Sequence, residues 1–334
     1  MRRVVVFMGG SPLVVAAMQH NLPGAISALS DHGVLVPKAA RVGNRTTGFS
    51  HQRLAGRSGG AWAAVEAEVL TSDADTVLLV IPGMLRLGSS TERRLAVLSH
   101  LGALADETCL VSVVTEPLTL MNDHYLSRVA AWRTARRLES SVVRLLDNDA
   151  FVPETLLRPW YDDGPGRYVA VPLPAYSAGH PVVTTLAAVG VPVTGDVPPP
   201  VAPDLPRLGP IGVEANRLLA TYLRAEIPGL RYDDEGVPAA SLSGLSRAQK
   251  LGWCAHSFWG WTPPAVERAL GRFEASNDRF AQAVWGTDWP LPYPVDRPCT
   301  QADFLDLDFS VVDQVHRYVV SMADKVVRER KAPS

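Results

Sequence analysis

Val4-Val5-Val6-Phe7-Met8 runs directly into Gly9-Gly10-Ser11-Pro12. Five consecutive apolar residues with no polar alternation describe a strand buried on both faces, as in a parallel sheet. The two glycines supply a tight turn. Pro12 then opens a helical pattern that reaches Asp31 and stops at Gly33, following the preference for proline at the start of a helix and glycine just past its end. Pro23-Gly24 falls inside this pattern and predicts a kink or two pieces. Strand, tight turn and helix form the first half of a βαβ unit.

Further along, the same alternation repeats. Val34-Leu35-Val36 reads as a short strand, and residues 41–60, rich in Gly, Arg, Ser and Thr, as a loop. Strands are expected at Thr76–Ile81, ending at Pro82-Gly83, and at Cys109–Val114, ending at Thr115-Glu116-Pro117. Helices are expected at 61–70, 91–105 and 118–139, a further strand at Tyr168–Leu173 and a helix at 181–189. This order predicts an α/β fold with a mainly parallel central sheet flanked by helices. Residues 196–210 carry Pro198, Pro199, Pro200, Pro203, Pro206 and Pro210, which makes a stiff extended connector. Beyond it the pattern is helical, at 211–226, 246–256, 263–284 and 308–329. Thr262 before Pro263 marks one helix start. Val311, Val312, Val315, Val319 and Met322 give the last helix an apolar face. The expected organisation is a single domain over 1–334, with a sheet core at 3–195, the connector at 196–210, and a helical portion at 211–334 packed on the core.

Composition narrows the function. The chain has 334 residues, 20% charged, with a net charge of −2. No basic field is present to attract nucleic acid or an anionic membrane. Cys109, Cys254 and Cys299 are scattered and odd in number, which argues against a disulfide framework or structural zinc and for a reducing cytoplasm. The N-terminal apolar run is too short for a secretion signal, and no stretch is long enough to span a bilayer. No HExxH, Cys/His cluster or EF-hand spacing among Asp147, Asp149, Asp162 and Asp163 suggests a metal. No G-x-G-x-x-G follows the first strand, so a bound dinucleotide is not expected. A small-molecule substrate is the expected partner, and homodimerisation is left open.

The order of several motifs resembles the bacterial carbohydrate-type sulfotransferases. That family opens with a strand and a phosphate loop written roughly H-I-G-x-P-K-T-G-T-T-x-L-Q, then a helix ending in G-V-L-Y-P. The corresponding stretch here is Phe7-Met8-Gly9-Gly10-Ser11-Pro12-Leu13-Val14-Val15-Ala16-Ala17-Met18-Gln19, without a gap, and the helix ends Gly33-Val34-Leu35-Val36-Pro37. The family's Arg-x-Pro strand end, with a serine and then a tyrosine following, is matched by Thr115-Glu116-Pro117, Asp123 and Tyr125. Leu208-Gly209 through Asn216-Arg217, and Phe273-Glu274-Ala275-Ser276-Asn277-Asp278-Arg279-Phe280-Ala281, resemble two later motifs. The likeness spans roughly residues 3–286 and implies a P-loop-like fold.

The resemblance also implies what has been lost. In the family, backbone N–H groups, a lysine and hydroxyls at the loop hold the sulfate end of 3′-phosphoadenosine 5′-phosphosulfate. Here the lysine position is Pro12, the threonine positions are Leu13, Val15 and Ala16, and the loop glycine is Val14. At the second phosphate, Thr115 and Asp123 stand where the family has Arg and Ser, with Glu116 beside them. No cofactor is therefore expected. The alternative is a shifted alignment in which Arg41, Arg45 or Arg53 replaces the missing cations, leaving a donor-dependent enzyme with an atypical site.

What could carry chemistry instead lies at the carboxyl ends of the strands. His51, in a loop where the family places a histidine over the acceptor, is the first candidate base. Glu116, Asp123 and His124 are the next acid–base candidates; Glu116 can equally serve as an acid facing a helix N-terminus. Ser11, Leu13, Val14, Arg53, Met84 and Trp259 are the candidate substrate contacts. Trp259 belongs to the aromatic run Trp253–Trp261, which either walls a pocket or packs between helices, the commoner use. Ala175-Tyr176-Ser177-Ala178-Gly179 approaches a nucleophile elbow but lacks the first glycine. The expected function is a repurposed, sulfotransferase-like enzyme acting by acid–base chemistry on an apolar small molecule. A non-catalytic relative that binds a ligand or protein is the competing expectation.

Overall fold

The computed structural model describes residues 1–44, 48–56, 59–147, 151–162, 166–202, 207–227, 229–232, 234 and 236–331. In chain order it contains β1 (Arg3–Gly9), α1 (Pro12–Asp31), β2 (Val34–Leu35), β3 (Val42–Asn44), β4 (Gly48–Ser50), α2 (Gly59–Leu70), β5 (Thr76–Val80), α3 (Thr91–Leu104) and β6 (Glu107–Val114). There follow α4 (Pro117–Ala130), α5 (Leu138–Leu146), α6 (Pro153–Tyr161), β7 (Arg167–Pro172), α7 (Leu173–Ser177) and α8 (Pro181–Ala187). Then come α9 (Pro210–Glu226), α10 (Val237–Lys250), α11 (Pro263–Trp285) and α12 (Phe309–Lys331). Single 3-10 segments sit at Gln52–Ala55, Pro82–Ser89 and Phe304–Asp306.

The expected α/β architecture with a helical C-terminal portion is present. Five strands form one sheet in the order β2-β5-β1-β6-β7, and every pairing is parallel. Strand side chains alternate between two buried layers, as the two-residue period requires. Val5, Phe7, Leu78, Val80, Val111 and Val113 pack with α1 and α8 through Met18, Leu22, Val182 and Leu186. Val4, Val6, Met8, Leu79, Ile81 and Leu110 pack on the other face with α2 and α3 through Trp62, Val65, Leu98 and Leu101. Burial on both faces explains why the strands read as continuous apolar runs rather than alternating ones.

The chain falls into two compact units. One unit comprises Met1–Pro117, Asn148–Pro203 and Arg272–Pro292, and contains the sheet; the other comprises Leu118–Asp147, Asp204–Gly271 and Tyr293–Ser334, and is helical. The helix expected at 118–139 ends at Ala130, because Trp132 takes a left-handed backbone (φ 57°) that buries its indole completely. Of the two alternatives at Pro23, two pieces are not found: α1 is one 20-residue helix with Pro23 inside it. Proline removes one backbone donor, while Met18, Leu22, Ala25 and Leu29, all fully buried, anchor the helix on both sides of it. The helix expected at 246–256 lies earlier, at Val237–Lys250, and the loop at 41–60 includes the antiparallel pair β3–β4.

Candidate functional site

After β1 the chain turns toward β2 and β5; the β5–β6 connection then crosses to the other side of β1. The carboxyl ends of β1 and β6 therefore form the topological switch point, where open α/β sheets bind ligands. Gly9, Gly10 and Ser11 come to it from β1, and Thr115 and Glu116 from β6.

The crevice is closed by the protein itself. A Cβ on Gly10 would lie 2.7 Å from the Val113 carbonyl oxygen, 3.1 Å from Val14 Cγ1 and 3.2 Å from Val113 Cβ. Gly9 has φ 112°, a conformation that side chains rarely adopt, and its hydrogen faces Val15 and Pro82. The start of α1 is also occupied. Ser11, 1% exposed, caps it by accepting from the Val14 N–H at 3.4 Å, and the Ser11 carbonyl accepts from the Val15 N–H at 3.1 Å. Pro12 has no N–H to offer. Of the first three helical positions, one donor is missing and one is engaged internally, so the usual anion cradle is largely dismantled. Val14, expected to face substrate, is core, packed with Phe7 and Val113; Leu13 is half-buried. Gly10→Ala should consequently destabilise the chain by about 2 kcal/mol in urea titration, the ordinary range for forced overpacking. An unchanged midpoint would mean that the crevice opens in solution.

His51 is fully buried, and both ring nitrogens are engaged by backbone. The Val80 N–H donates to Nδ1 at 3.1 Å, which places the proton on Nε2, and Nε2 donates to the Pro37 carbonyl at 2.8 Å. Burial drives its pKa down to about 4, with Arg41 also lowering it and the Pro37 bond and Glu68 opposing. A general base needs a free lone pair within reach of substrate. His51 has none, and the geometry corrects its expected role to that of a tie between β5 and the loop after β2.

The substitute cations fare similarly. Arg41 donates to the carbonyls of Pro37 (2.6 Å) and Val36 (2.5 Å) and lies over the Phe49 ring at 4.3 Å. Arg53 is exposed, and Arg45 and Asp149 lie outside the described residues. Met84, another expected contact, is fully buried against the β5 layer. Its turn is pinned by Gln52, whose Oε1 accepts from the Gly83 N–H at 2.8 Å. At the end of β6, Glu116 is 5% exposed and Thr115 3%, and the Thr115 hydroxyl has no hydrogen-bond partner.

Asp123, His124 and Trp259 belong to the helical unit. Asp123 and His124 are half-buried on α4. Trp259 is fully buried, with Arg297 over its ring at 4.6 Å. Trp253, Phe258 and Trp261 are buried too, so the aromatic run is core rather than a pocket wall. Asn122, which the sequence did not single out, organises this run: its amide donates to the Phe258 carbonyl at 3.3 Å and accepts from the Gly260 N–H at 3.1 Å. Tyr125 stacks on Phe258 and donates its hydroxyl to the Arg136 carbonyl at 3.0 Å. Burial pushes its phenol pKa upward. Ser177 is the exposed last residue of the five-residue α7, well past the strand–helix turn that a nucleophile elbow requires.

Among the described residues, no group of three or more His, Cys, Asp or Glu side chains is placed to hold a metal ion, and no helix is long and apolar enough to cross a membrane. Compared with family models, curated proteins and solved structures, the chain gives no match.

Proposed function

We propose that the chain is a sulfotransferase-like protein that does not use the sulfate donor and acts by binding rather than by group transfer. The observation that supports this is the seating of the Gly10 main chain on Val113, with Ser11 and Pro12 occupying the start of α1. The space where the donor's phosphosulfate would enter is filled by backbone and by Val14. The first candidate base for an acid–base enzyme, His51, has both ring nitrogens on backbone atoms.

The energetics point the same way. A charge-assisted hydrogen bond contributes about 1.5–3 kcal/mol. Loss of the lysine and hydroxyls at one phosphate, with carboxylates added at the other, outweighs the roughly 8 kcal/mol of a micromolar complex. Calorimetric titration with 3′-phosphoadenosine 5′-phosphosulfate, and with its desulfated product, should give no saturable heat at millimolar ligand. Micromolar binding of either would sink the proposal.

A further inference from the structure

The last helix, α12, has two apolar faces. Val315, Tyr318, Met322 and Val326 are buried, and this face packs on α9 and α10 within the helical unit. A second stripe points away from them. Phe309, His316, Val320 and Val327 recur at intervals of seven, four and seven residues, which sets them along one line of the helix, at the seam spacing of a coiled coil. This stripe is left to solvent: Phe309 is 87% exposed, Val320 40% and Val327 37%, and His316 is exposed too. Just before the helix, Leu305 is 89% exposed. Single apolar residues scattered on a surface need no explanation, but a straight row that ends in a nearly bare phenylalanine does. We propose that the stripe is the interface of a homodimer, in which two copies of α12 pair antiparallel about a two-fold axis at the level of Tyr318. The pairing is independent of whether the chain binds a sulfate donor.

The stripe is symmetric about its own middle. Phe309 and Val327 stand nine residues to either side of Tyr318, and His316 and Val320 two residues to either side. An antiparallel pair centred there sets Phe309 level with Val327 of the second copy, and His316 level with its Val320. The remaining seam positions are Asp313 and Ala323, five residues to either side. A carboxylate already neutralised by Arg317 of its own helix thus meets a side chain small enough to leave it room. A parallel pair would instead set Asp313 against Asp313 and His316 against His316.

Charge selects the same direction. The chain enters α12 through the exposed Asp306 and Asp308 and leaves it through Arg328-Glu329-Arg330-Lys331. Among the described residues, neither aspartate has an ion-pair partner, and Arg328 donates to the Asp324 carbonyl of its own helix at 3.3 Å rather than to a carboxylate. Antiparallel pairing lays each acidic end beside the basic end of the other copy and opposes the two helix dipoles, whereas parallel pairing lays like ends together. A self-complementary contact of this kind closes at two copies. From Phe309 to Val327 the seam is about 27 Å long, at about 1.5 Å per residue. One helix pair of that length falls at the low end of stable interface sizes, so the dimer should dissociate in the micromolar range.

Sedimentation equilibrium of the full chain tests this between about 1 and about 100 µM, the span over which an interface of this size dissociates. The mass should rise from one chain to two across that range. Phe309→Asp and Val320→Asp should each hold the chain monomeric at the top of it, with thermal melting unchanged because both side chains face solvent. The direction of pairing is read by cysteine cross-linking in a chain carrying Cys254→Ser and Cys299→Ser. Phe309→Cys together with Val327→Cys should oxidise to a disulfide-linked dimer. Either one alone should not, since the two copies of one position stand at opposite ends of the seam. The proposal fails if the native chain stays monomeric throughout, if the dimer persists in either aspartate variant, or if one cysteine alone cross-links as well as the pair.

Discussion

Acidification from pH 7 is expected to remove about 2 kcal/mol of stability by pH 5 and about 3 kcal/mol by pH 4 through His51 alone. His51→Gln should abolish that part of the pH dependence. The folded chain holds the imidazole neutral, with the Val80 N–H on Nδ1 and the Pro37 carbonyl on Nε2, and its pKa stands near 4 against an ordinary 6.5. A depressed folded pKa means that the unfolded chain takes up the proton first. The stabilisation is therefore complete above pH 6.5 and drains away as pH falls toward 4. Protonating Nδ1 would turn two donors toward each other, and Arg41 nearby adds repulsion. His180, whose pKa is also lowered by burial, and the carboxyls of Glu107, Glu154 and Asp303, held low by arginines, titrate equally in both proteins. They cancel in the difference. Urea unfolding of the native chain and His51→Gln at half-unit steps between pH 7 and 4 reads this directly. Parallel stability curves would show that the ring is not locked in its neutral form.

His51 also illustrates what the sequence could convey. A histidine in a loop beside an arginine carries the same local signal whether it faces substrate or backbone. The distinction depends on Val80 and Pro37, which lie 29 and 14 residues away and are joined to it only by sheet assembly. The strands were legible because Val4–Met8, Thr76–Val80 and Cys109–Val114 are buried on both faces, and burial on both faces leaves uninterrupted apolar runs. The turn at Trp132 was not legible, because no local residue preference favours a left-handed tryptophan; contacts distant in sequence hold it there. The absence of any cation or hydroxyl from Pro12 to Ala16 was legible in the sequence. That Val14 is core, rather than lining a pocket for a ligand, depends on how closely Gly10 approaches Val113.

The largest single effect on stability is expected at Asn216. Asn216→Ala should cost about 4 kcal/mol, whereas Tyr318→Phe should cost about 1 kcal/mol. Asn216 lies on α9 and is fully buried. Its Oδ1 accepts from Trp132 Nε1 at 2.5 Å and from the Tyr318 hydroxyl at 3.1 Å, and its Nδ2 donates to the Gly212 carbonyl at 2.8 Å. Within the helical unit it therefore ties α9 to α12 and to the left-handed turn after α4. Truncation to alanine strands two buried donors, each carrying a desolvation penalty of about 1–3 kcal/mol, with a cavity in addition. Tyr318→Phe removes one donor together with its need for an acceptor, so its cost is small. A double-mutant cycle between the two should give a coupling of about 1 kcal/mol or more. Asn216→Ala costing under about 1 kcal/mol would mean that water or another group replaces the amide.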